Sequence, residues 1–224
     1  YNADIVVKID GDGQMEPSLI PKFIEPIVRH EADYTKGNRF YHIHALGNMP
    51  LIRLFGNATL SFITKLSSGY WSNFDPTNGY TAIQASLIPL LPPKKVSNDY
   101  FFESDMLFRL NLLQAKVVDI PMSAKYSSES SSLKVQKIIP IFLYKNTQNL
   151  IKRIFYNYFL RDFSAASIEL ISGSILAAFG FLFGAWEWYA HVQAGEIAST
   201  GTVMVAVLPM IIGFQFLIAF LNFD

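Results

Sequence analysis

Cysteine is absent from this 224-residue sequence, and charged residues make up only 16% of it. Without cysteine the chain can form neither a disulfide framework nor a thiolate metal site. An excess of positive charge is absent too, because 18 Lys and Arg are balanced by 18 Asp and Glu. This balance argues against nucleic acid as a partner, since dedicated nucleic-acid-binding proteins present a basic surface. Apolar residues reach 51%, which argues against a disordered chain.

The charged residues are unevenly distributed along the chain. All 18 Lys and Arg lie at or before Arg161, together with 14 acidic residues up to Asp162, so residues 1–162 carry a net charge of +4. Residues 163–224 contain no Lys or Arg and only four acidic residues. The neutral overall charge is therefore the average of a mildly basic region and a nearly uncharged one.

Two long segments of the C-terminal region contain no charged residue. They are 170–186 (LISGSILAAFGFLFGAW) and 203–221 (VMVAVLPMIIGFQFLIAFL). A helix rises about 1.5 Å per residue, so each segment is roughly long enough to cross a hydrocarbon core of about 30 Å. Gly180 and Gly184 form a GxxxG pair, which favours close packing of the two helices. The alternative is a buried core hairpin, but so small a soluble domain has little room for two such segments. The sequence therefore predicts a two-helix membrane anchor.

Basic residues predict which side of the membrane the N-terminal region occupies. The connection between the two apolar segments contains no Lys or Arg, whereas residues 145–169, just before the first segment, contain four basic residues: Lys145, Lys152, Arg153 and Arg161. By the positive-inside rule, the large N-terminal part is expected in the cytoplasm. Residues 138–162 mix aromatic residues with Lys and Arg at helical spacing, which predicts an amphipathic helix lying on the cytoplasmic leaflet. The alternative interpretation is a connector helix that faces solvent.

The N-terminal part shows the alternation of strands and helices that is typical of an α/β fold. Residues 3–9 (ADIVVKI) form a short apolar run that fits a strand buried in a parallel or mixed sheet. A helical pattern over 17–32 and a short strand over 33–37 complete a βαβ-like unit. The pattern further predicts helices at 49–68 and 99–115, a turn with short strands at 74–89 and a strand at 116–122. Open α/β sheets bind ligands at the carboxyl ends of their strands, so the loop after the first strand is the expected functional loop.

Asp10, Asp12 and Gln14 form the sharpest chemical signal in the sequence. Two carboxylates one residue apart at the end of a strand can converge on one divalent cation, and Gln14 can add a carbonyl oxygen. Mg²⁺ usually keeps coordination positions for phosphate oxygens when few protein ligands hold it. The alternative is a pair of ordinary turn acids, since a DxD pattern alone is common. An EF-hand is excluded because Pro21 stands where the bidentate Glu would be required.

The segment IDGDGQMEP (9–17) resembles the DxDxQ-x-x-P segment of glycosyltransferase family 2 enzymes that act on polyprenyl phosphates, of the dolichol-phosphate mannosyltransferase kind. The resemblance continues, in the family's order and spacing, through KGNRF (36–40), the helix containing Arg53, FDPTNGYTAI (74–83) and FFESDMLFRLNLLQAKVVDIPM (101–122). It implies a GT-A-type nucleotide-sugar domain, of which residues 1–135 would be the C-terminal part. A juxtamembrane amphipathic segment over 136–165 and a two-helix transmembrane anchor over 166–224 would follow.

The resemblance also implies roles for individual residues. Asp10, Asp12 and Gln14 would hold Mg²⁺ or Mn²⁺ on the diphosphate of the donor, where the cation neutralises charge that develops on the leaving nucleoside diphosphate. A second group would bind phosphate oxygens through their positive charges, as guanidinium and ammonium groups commonly do. Its members are Arg39, Arg53 and Lys125.

Three acidic residues are candidates for catalysis: Asp75, Glu103 and Asp105. Asp75 lies in a DPTNG turn and matches the family's acidic residue near the acceptor, although an isolated turn of this kind commonly uses its Asp as a cap. Glu103 and Asp105 match the region where relatives with a hydroxyl acceptor keep a general base. Residues two apart on a helix do not face each other, so only one of these two acids can point into the site. The other is expected to be a solvated surface acid.

The acceptor decides whether a base is needed. A sugar hydroxyl needs a general base at neutral pH, whereas a lipid phosphate is already anionic and needs cationic positioning instead. The sequence also lacks the QxxRW motif of processive polysaccharide synthases, which favours transfer of a single sugar. We therefore expect a membrane-anchored, metal-dependent glycosyltransferase that moves a sugar from a nucleotide-sugar donor to a polyprenyl phosphate at the cytoplasmic leaflet. The family implies inversion at the anomeric carbon.

Two alternatives stay open at the level of the sequence. The acceptor could be a hydroxyl of a lipid-linked saccharide in cell-surface polysaccharide synthesis, with Glu103 or Asp105 as the base. The chain could also be a catalytically silent membrane scaffold that keeps only the fold. A homo-oligomer is compatible with each of these functions. Since the chain begins with Tyr1 just ahead of an expected central strand, and not with Met, we also expect a preceding part that carries most of the base and ribose contacts.

Overall fold

The computed structural model of the chain describes residues 3–11, 13, 15–41, 51–122 and 135–224, without the side chains of 51–55, 57 and 135–138. Four residues of the predicted site lie outside the described residues or have no described side chain: Asp12, Gln14, Arg53 and Lys125. The chain divides into two compact units, Tyr1–Arg153 and Ile154–Asp224.

The first unit is built on a mixed sheet of four strands. They are β1 (Ile5–Lys8), β2 (Tyr34–Asn38), β3 (Thr81–Gln84) and β4 (Val117–Pro121), in the spatial order β1-β3-β2-β4. Strand β3 is antiparallel to both of its neighbours, whereas β2 and β4 are parallel. The mixed sheet with its helices confirms the α/β class.

The described residues of the two units form six α-helices. They are α1 (Ile20–Val28), α2 (Leu51–Ser68), α3 (Phe102–Leu112), α4 (Val135–Phe155), α5 (Ala165–Ala194) and α6 (Thr200–Phe223). Short 3-10 turns cover Pro17–Leu19, Ala85–Leu90 and Pro93–Lys95, and a π-helical turn covers Tyr156–Arg161. The predicted helices at 49–68 and 99–115 and the strand at 116–122 are confirmed within a few residues. The segment 74–89 contains one strand followed by a 3-10 turn, where several short strands were expected.

Strands β1 and β2 run parallel with helix α1 between them in sequence, as the βαβ-like pattern predicted. The antiparallel strand β3 lies between them in the sheet. Helix α1 covers one face of the sheet, where Phe23 stacks on Tyr80 with 4.0 Å between ring centroids and is fully buried. The expected burial of β1 is wrong for the described residues, because β1 has a neighbour on one side only and Val6 is 41% exposed.

Helix α3 covers a second core in the same unit. Its Leu107 and Leu110 are buried together with Tyr34 of β2 and Ile83 of β3. Burying a leucine side chain contributes roughly 1.5–3 kcal/mol, so this contact holds α3 firmly against the sheet. The N-terminal turn of α3, which carries the two candidate acids of the helix, is thereby kept in a defined position.

The second unit consists mainly of a hairpin of two long apolar helices. Helices α5 and α6 contain 30 and 24 residues, and by length and composition both can cross a membrane. Their backbones approach closely at small residues, since a methyl group at Gly180 would lie 2.5 Å from the carbonyl oxygen of Ala206. A methyl group at Gly213 would similarly lie 2.5 Å from the backbone nitrogen of Ala177. Small residues at helix contacts are typical of membrane hairpins, and the predicted packing of the two helices is confirmed.

Candidate active site

The carboxyl ends of three strands meet at one edge of the sheet. Strands β1, β2 and β4 run in the same direction, and β3 enters the sheet from the edge where they end. In the register, Thr81 at the start of β3 lies opposite Lys8 on one side and Lys36 on the other. Lys36 in turn lies beside Asp119 of β4. Ligands bind at such edges in open α/β sheets, so this edge is the candidate active site.

A cluster of three charged side chains lies where β1 ends. The ammonium nitrogen of Lys8 is 2.9 Å from Oδ1 of Asp10 and 3.0 Å from Oε1 of Glu103. It also donates a longer hydrogen bond of 3.4 Å to the carbonyl oxygen of Gly79. Burial by itself lowers the pKa of Lys8, but the hydrogen bonds to Asp10 and Glu103 outweigh it and raise the pKa above its usual 10.5. Lys8 is therefore a cation at neutral pH, placed between two predicted site residues.

Gly79, in the turn before β3, makes room for the Asp10 carboxylate. A methyl group added at Gly79 would overlap both carboxylate oxygens of Asp10. Asp10 has a short side chain, so its carboxylate can leave this position only by rotating away from the strand end. The absence of a side chain at residue 79 thus determines where the first acid of the DxD pattern points.

Changing Gly79→Ala is expected to reduce catalytic turnover about 10- to 100-fold, because a shift of about 1 Å in a reacting group can cost that much. The measurement is turnover, with thermal unfolding recorded alongside to show that the fold is kept. Gly56→Ala in helix α2 is the matched control, since a methyl group there meets nothing within 4 Å. Equal turnover in both variants would contradict the role given to Gly79.

A buried ion pair joins β2 to β4 next to this cluster. The ammonium of Lys36, which is only 3% exposed, lies 3.2 Å from Oδ1 of Asp119. Asp119 also accepts hydrogen bonds from the side chains of Asn38 and Asn73 and from the backbone N–H of Phe74, at 2.7–3.0 Å. Burial lowers the pKa of Lys36, and the charges of the neighbouring carboxylates oppose that shift. The residue pattern alone does not predict this pair, although an acid inside the apolar strand VVDIP is a usable signal.

Asp75 and Arg39, both predicted as site residues, contact each other. The guanidinium of Arg39 donates two hydrogen bonds of 2.8 Å to the two carboxylate oxygens of Asp75, and the backbone N–H of Arg39 donates a third. Asp75 is 2% exposed and has a positive φ of 57°, a conformation that Asp and Asn adopt more readily than most residues. The predicted roles of Arg39 in phosphate binding and of Asp75 near the acceptor stay predictions.

The pKa of Asp75 shows which influence dominates in this pair. Burial by itself raises the pKa, but the hydrogen bonds and charge of Arg39, with the charge of Lys36, lower it below its usual 3.8. The stabilising contribution of the pair is therefore complete above pH 3.8, the unfolded-state pKa. It is lost only as the pH falls through the lower folded-state pKa. At neutral pH both partners are ionised.

Glu103 and Asp105 point in different directions from helix α3. Glu103 faces Lys8 and the end of β1, whereas Asp105 accepts hydrogen bonds from Nε of Arg109 at 2.9 Å, the backbone N–H of Ser97 at 3.0 Å and the side chain of Asn149 at 3.2 Å. Only one of the two acids thus reaches the cluster at β1, as helical spacing predicted. The expectation that the other is a solvated surface acid is wrong, because Asp105 is 3% exposed and joins α3 to its surroundings.

A small cavity lies beside Lys36. Its volume of about 10 Å³ is about the space that one water molecule needs. Ser61 and Asn73 line it, and their atoms Oγ and Oδ1 are buried there without a hydrogen-bond partner among the described residues. The cavity is therefore suited to a single water molecule and is too small for a nucleotide sugar.

The ligand chemistry of the predicted metal site fits a hard divalent cation. Its donors are two carboxylates and an amide oxygen, of which the structure describes only Asp10. Lys8 contacts one of the two Asp10 oxygens, and the side chain is 42% exposed, so the carboxylate is accessible to a further ligand. Within the described ranges no three His, Cys, Asp or Glu side chains gather into a metal-binding group. Oxygen donors of this kind suit Mg²⁺ or Mn²⁺.

Comparison with known proteins shows what the N-terminal part of the chain is similar to. Residues 2–89 match the model of the glycosyl transferase family 2. The matched segment includes β1, β2, β3 and the DxD pattern.

Two individual proteins are similar in sequence to this chain. The chain is 33% identical over 128 residues to a UDP-N-acetylglucosamine–dolichyl-phosphate N-acetylglucosaminyltransferase of Methanococcus voltae. The aligned stretch covers 57% of this chain and 51% of that protein. The chain is 27% identical over 121 residues to an undecaprenyl-phosphate mannosyltransferase of Micrococcus luteus, covering 54% of this chain and 49% of that protein. The chain thus spans about half the length of these relatives.

Proposed function

We propose that the protein is a membrane-anchored, metal-dependent, inverting glycosyltransferase. It would transfer a sugar from a nucleotide-sugar donor to a polyprenyl phosphate at the cytoplasmic leaflet. The family 2 domain supports the reaction class, and the two relatives, named for dolichyl phosphate and undecaprenyl phosphate, support the acceptor class. Asp10, Asp12 and Gln14 would hold Mg²⁺ or Mn²⁺, which neutralises the charge on the departing nucleoside diphosphate.

The ion pairs formed by the three candidate bases are the observation that favours one acceptor over the other. Each of the three acids has a cationic partner: Lys8 for Glu103, Arg39 for Asp75 and Arg109 for Asp105. A carboxylate whose oxygens already bind a cation is less available to take a proton from a sugar hydroxyl. A lipid phosphate has no need for such a base, because its oxygens are already anionic at neutral pH. The pairing therefore supports a phosphate acceptor over a saccharide hydroxyl.

The distribution of polar and apolar residues on helix α4 supports the proposal that this helix lies on the membrane surface. Its polar residues Asn146, Asn149 and Arg153 are buried in the first unit, where they contact Ser67, Asp105 and the carbonyl oxygen of Leu66 respectively. Its exposed residues are mostly apolar instead and include Ile139, Ile141, Tyr144 and Ile151, with Thr147 and Lys152 exposed among them. A solvent-facing connector helix would show the opposite distribution, so the amphipathic helix on the leaflet is the interpretation we propose.

Transfer assays with membranes that contain the protein test the proposal. Radiolabelled nucleotide-activated N-acetylglucosamine and mannose are each supplied with polyprenyl phosphate alone and with a lipid-linked saccharide. We expect a labelled lipid that mild acid hydrolyses, formed from polyprenyl phosphate alone and lost when EDTA removes the divalent cation. Product from the lipid-linked saccharide only would establish the hydroxyl acceptor instead, and no product from a full donor panel would favour the silent scaffold.

A further inference from the structure

We propose that Lys8 is a positioning residue that holds Asp10 and Glu103 together and competes with the divalent cation for Asp10. The metal part of this inference rests on the proposed function. Neither the motif nor the resemblance assigns a role to Lys8. Lys8 is the last residue of β1, and its ammonium contacts the carboxylate of Asp10, the first acid of the DxD pattern, two residues further along the chain.

The contacts of Lys8 use the full donor capacity of its ammonium group. An ammonium has three N–H donors, and Lys8 has three oxygen partners: Asp10 at 2.9 Å, Glu103 at 3.0 Å and the Gly79 carbonyl at 3.4 Å. The ring of Phe102 adds a cation–π contact, with its centroid 5.5 Å from the ammonium nitrogen. These partners come from three separate segments, namely the loop after β1, the turn before β3 and helix α3. Lys8 is therefore the point at which these segments are connected at the site.

The charge of Lys8 has two opposite consequences. It neutralises two carboxylates that would otherwise repel each other, and it thereby keeps Asp10 and Glu103 oriented towards one another. Any divalent cation that binds the Asp10 carboxylate must also approach the ammonium, because Lys8 contacts the same carboxylate. Like charges at such short separation repel strongly at a partly buried site. Lys8 is therefore expected to weaken the binding of the cation while it improves the geometry for turnover.

The Lys8→Met variant separates these two consequences, since it keeps most of the aliphatic stem and removes the charge. We expect Mn²⁺ to bind on the order of ten-fold more tightly to the variant, from the loss of the like-charge repulsion. We expect turnover to fall roughly ten-fold or more, because Asp10 loses its orienting contact. A purely structural lysine would not give this combination, since loosening of the site weakens cation binding and turnover together.

The binding of Mn²⁺ is measured by electron paramagnetic resonance on the full chain in detergent, without a sugar donor. Lys22→Met is the matched control, because Lys22 is an exposed lysine on α1. Lys8→Arg restores the charge and should return the Mn²⁺ affinity towards that of the unmodified chain. If Lys8→Met does not fold, Lys8→Gln provides the same comparison with a neutral side chain.

The outcomes distinguish this inference from the proposed function. Tighter Mn²⁺ binding by Lys8→Met supports the inference even if no donor and acceptor give product, a result that would contradict the proposed function alone. Unchanged or weaker Mn²⁺ binding overturns the inference, even where the unmodified protein transfers sugar. Absence of Mn²⁺ binding in both proteins overturns it as well.

Discussion

Changing Asp10→Asn is expected to lower the rate of sugar transfer at least about 100-fold while the protein stays folded. The amide keeps the shape of the side chain but removes the negative charge that a divalent cation requires. Lewis-acid stabilisation by a metal is worth several kcal/mol, and about 1.4 kcal/mol corresponds to a factor of ten in rate. Asp12→Asn should have the same effect, because both acids belong to the same predicted ligand set.

The rate of transfer at saturating donor and the affinity for Mn²⁺ check this expectation together. Asp4→Asn is the matched control, since Asp4 is an exposed acid at the opposite end of β1. Circular dichroism and thermal unfolding of the variants show whether the fold is kept. Transfer by Asp10→Asn or Asp12→Asn at the rate of the control would refute the metal assignment.

Breaking the contact between Asp75 and Arg39 is expected to give the largest loss of stability. In Asp75→Asn the Arg39 guanidinium loses its ionised partner, and removing one partner of a buried ion pair typically costs about 3–5 kcal/mol. Because the Arg39 side chain is 28% exposed, we expect the lower end of that range. Asn tolerates the positive φ at this position, so the loss reports the ion pair and not backbone strain.

Urea unfolding of the chain in detergent measures the free energy of unfolding of the first unit. Asp99→Asn provides the comparison, because the pair of Asp99 with Lys145 is more exposed and such pairs are typically worth about 0–1 kcal/mol. A double variant with Arg39→Met should recover part of the loss, since the charge that has lost the Asp75 carboxylate is then removed as well. Equal losses for Asp75→Asn and Asp99→Asn would contradict a special role for the buried pair.

Local pattern was sufficient to predict most of the elements. The helix predicted over 49–68 is α2, and the strand predicted over 116–122 is β4. The apolar segments 170–186 and 203–221 lie inside α5 and α6, and the GxxxG pair indicated their contact. These features depend on side-chain periodicity and on long uncharged runs, which neighbouring residues determine.

Strand order could not be predicted in the same way. The βαβ-like pattern indicated that β1 and β2 are parallel, but nothing in residues 3–37 indicates that β3 lies between them. Pairing between distant strands depends on how the helices cover the sheet, and Phe23 stacking on Tyr80 is part of that arrangement. The exposure of Val6 follows from strand order too, so an apolar run was not enough to predict burial.

The candidate site likewise combines features that local pattern predicts with features that depend on contacts between distant segments. Residue types and their spacing alone identify the chemical groups at the strand ends, namely the acids of the DxD pattern, the DPTNG turn and the two acids of α3. The pairing of acids with cations follows from the folded chain, because Lys8 and Glu103 are 95 residues apart in the sequence and Asp75 and Arg39 are 36 apart. A contact at such separation is a property of strand register and helix packing, since charge and residue type do not select one partner among 18 Lys and Arg.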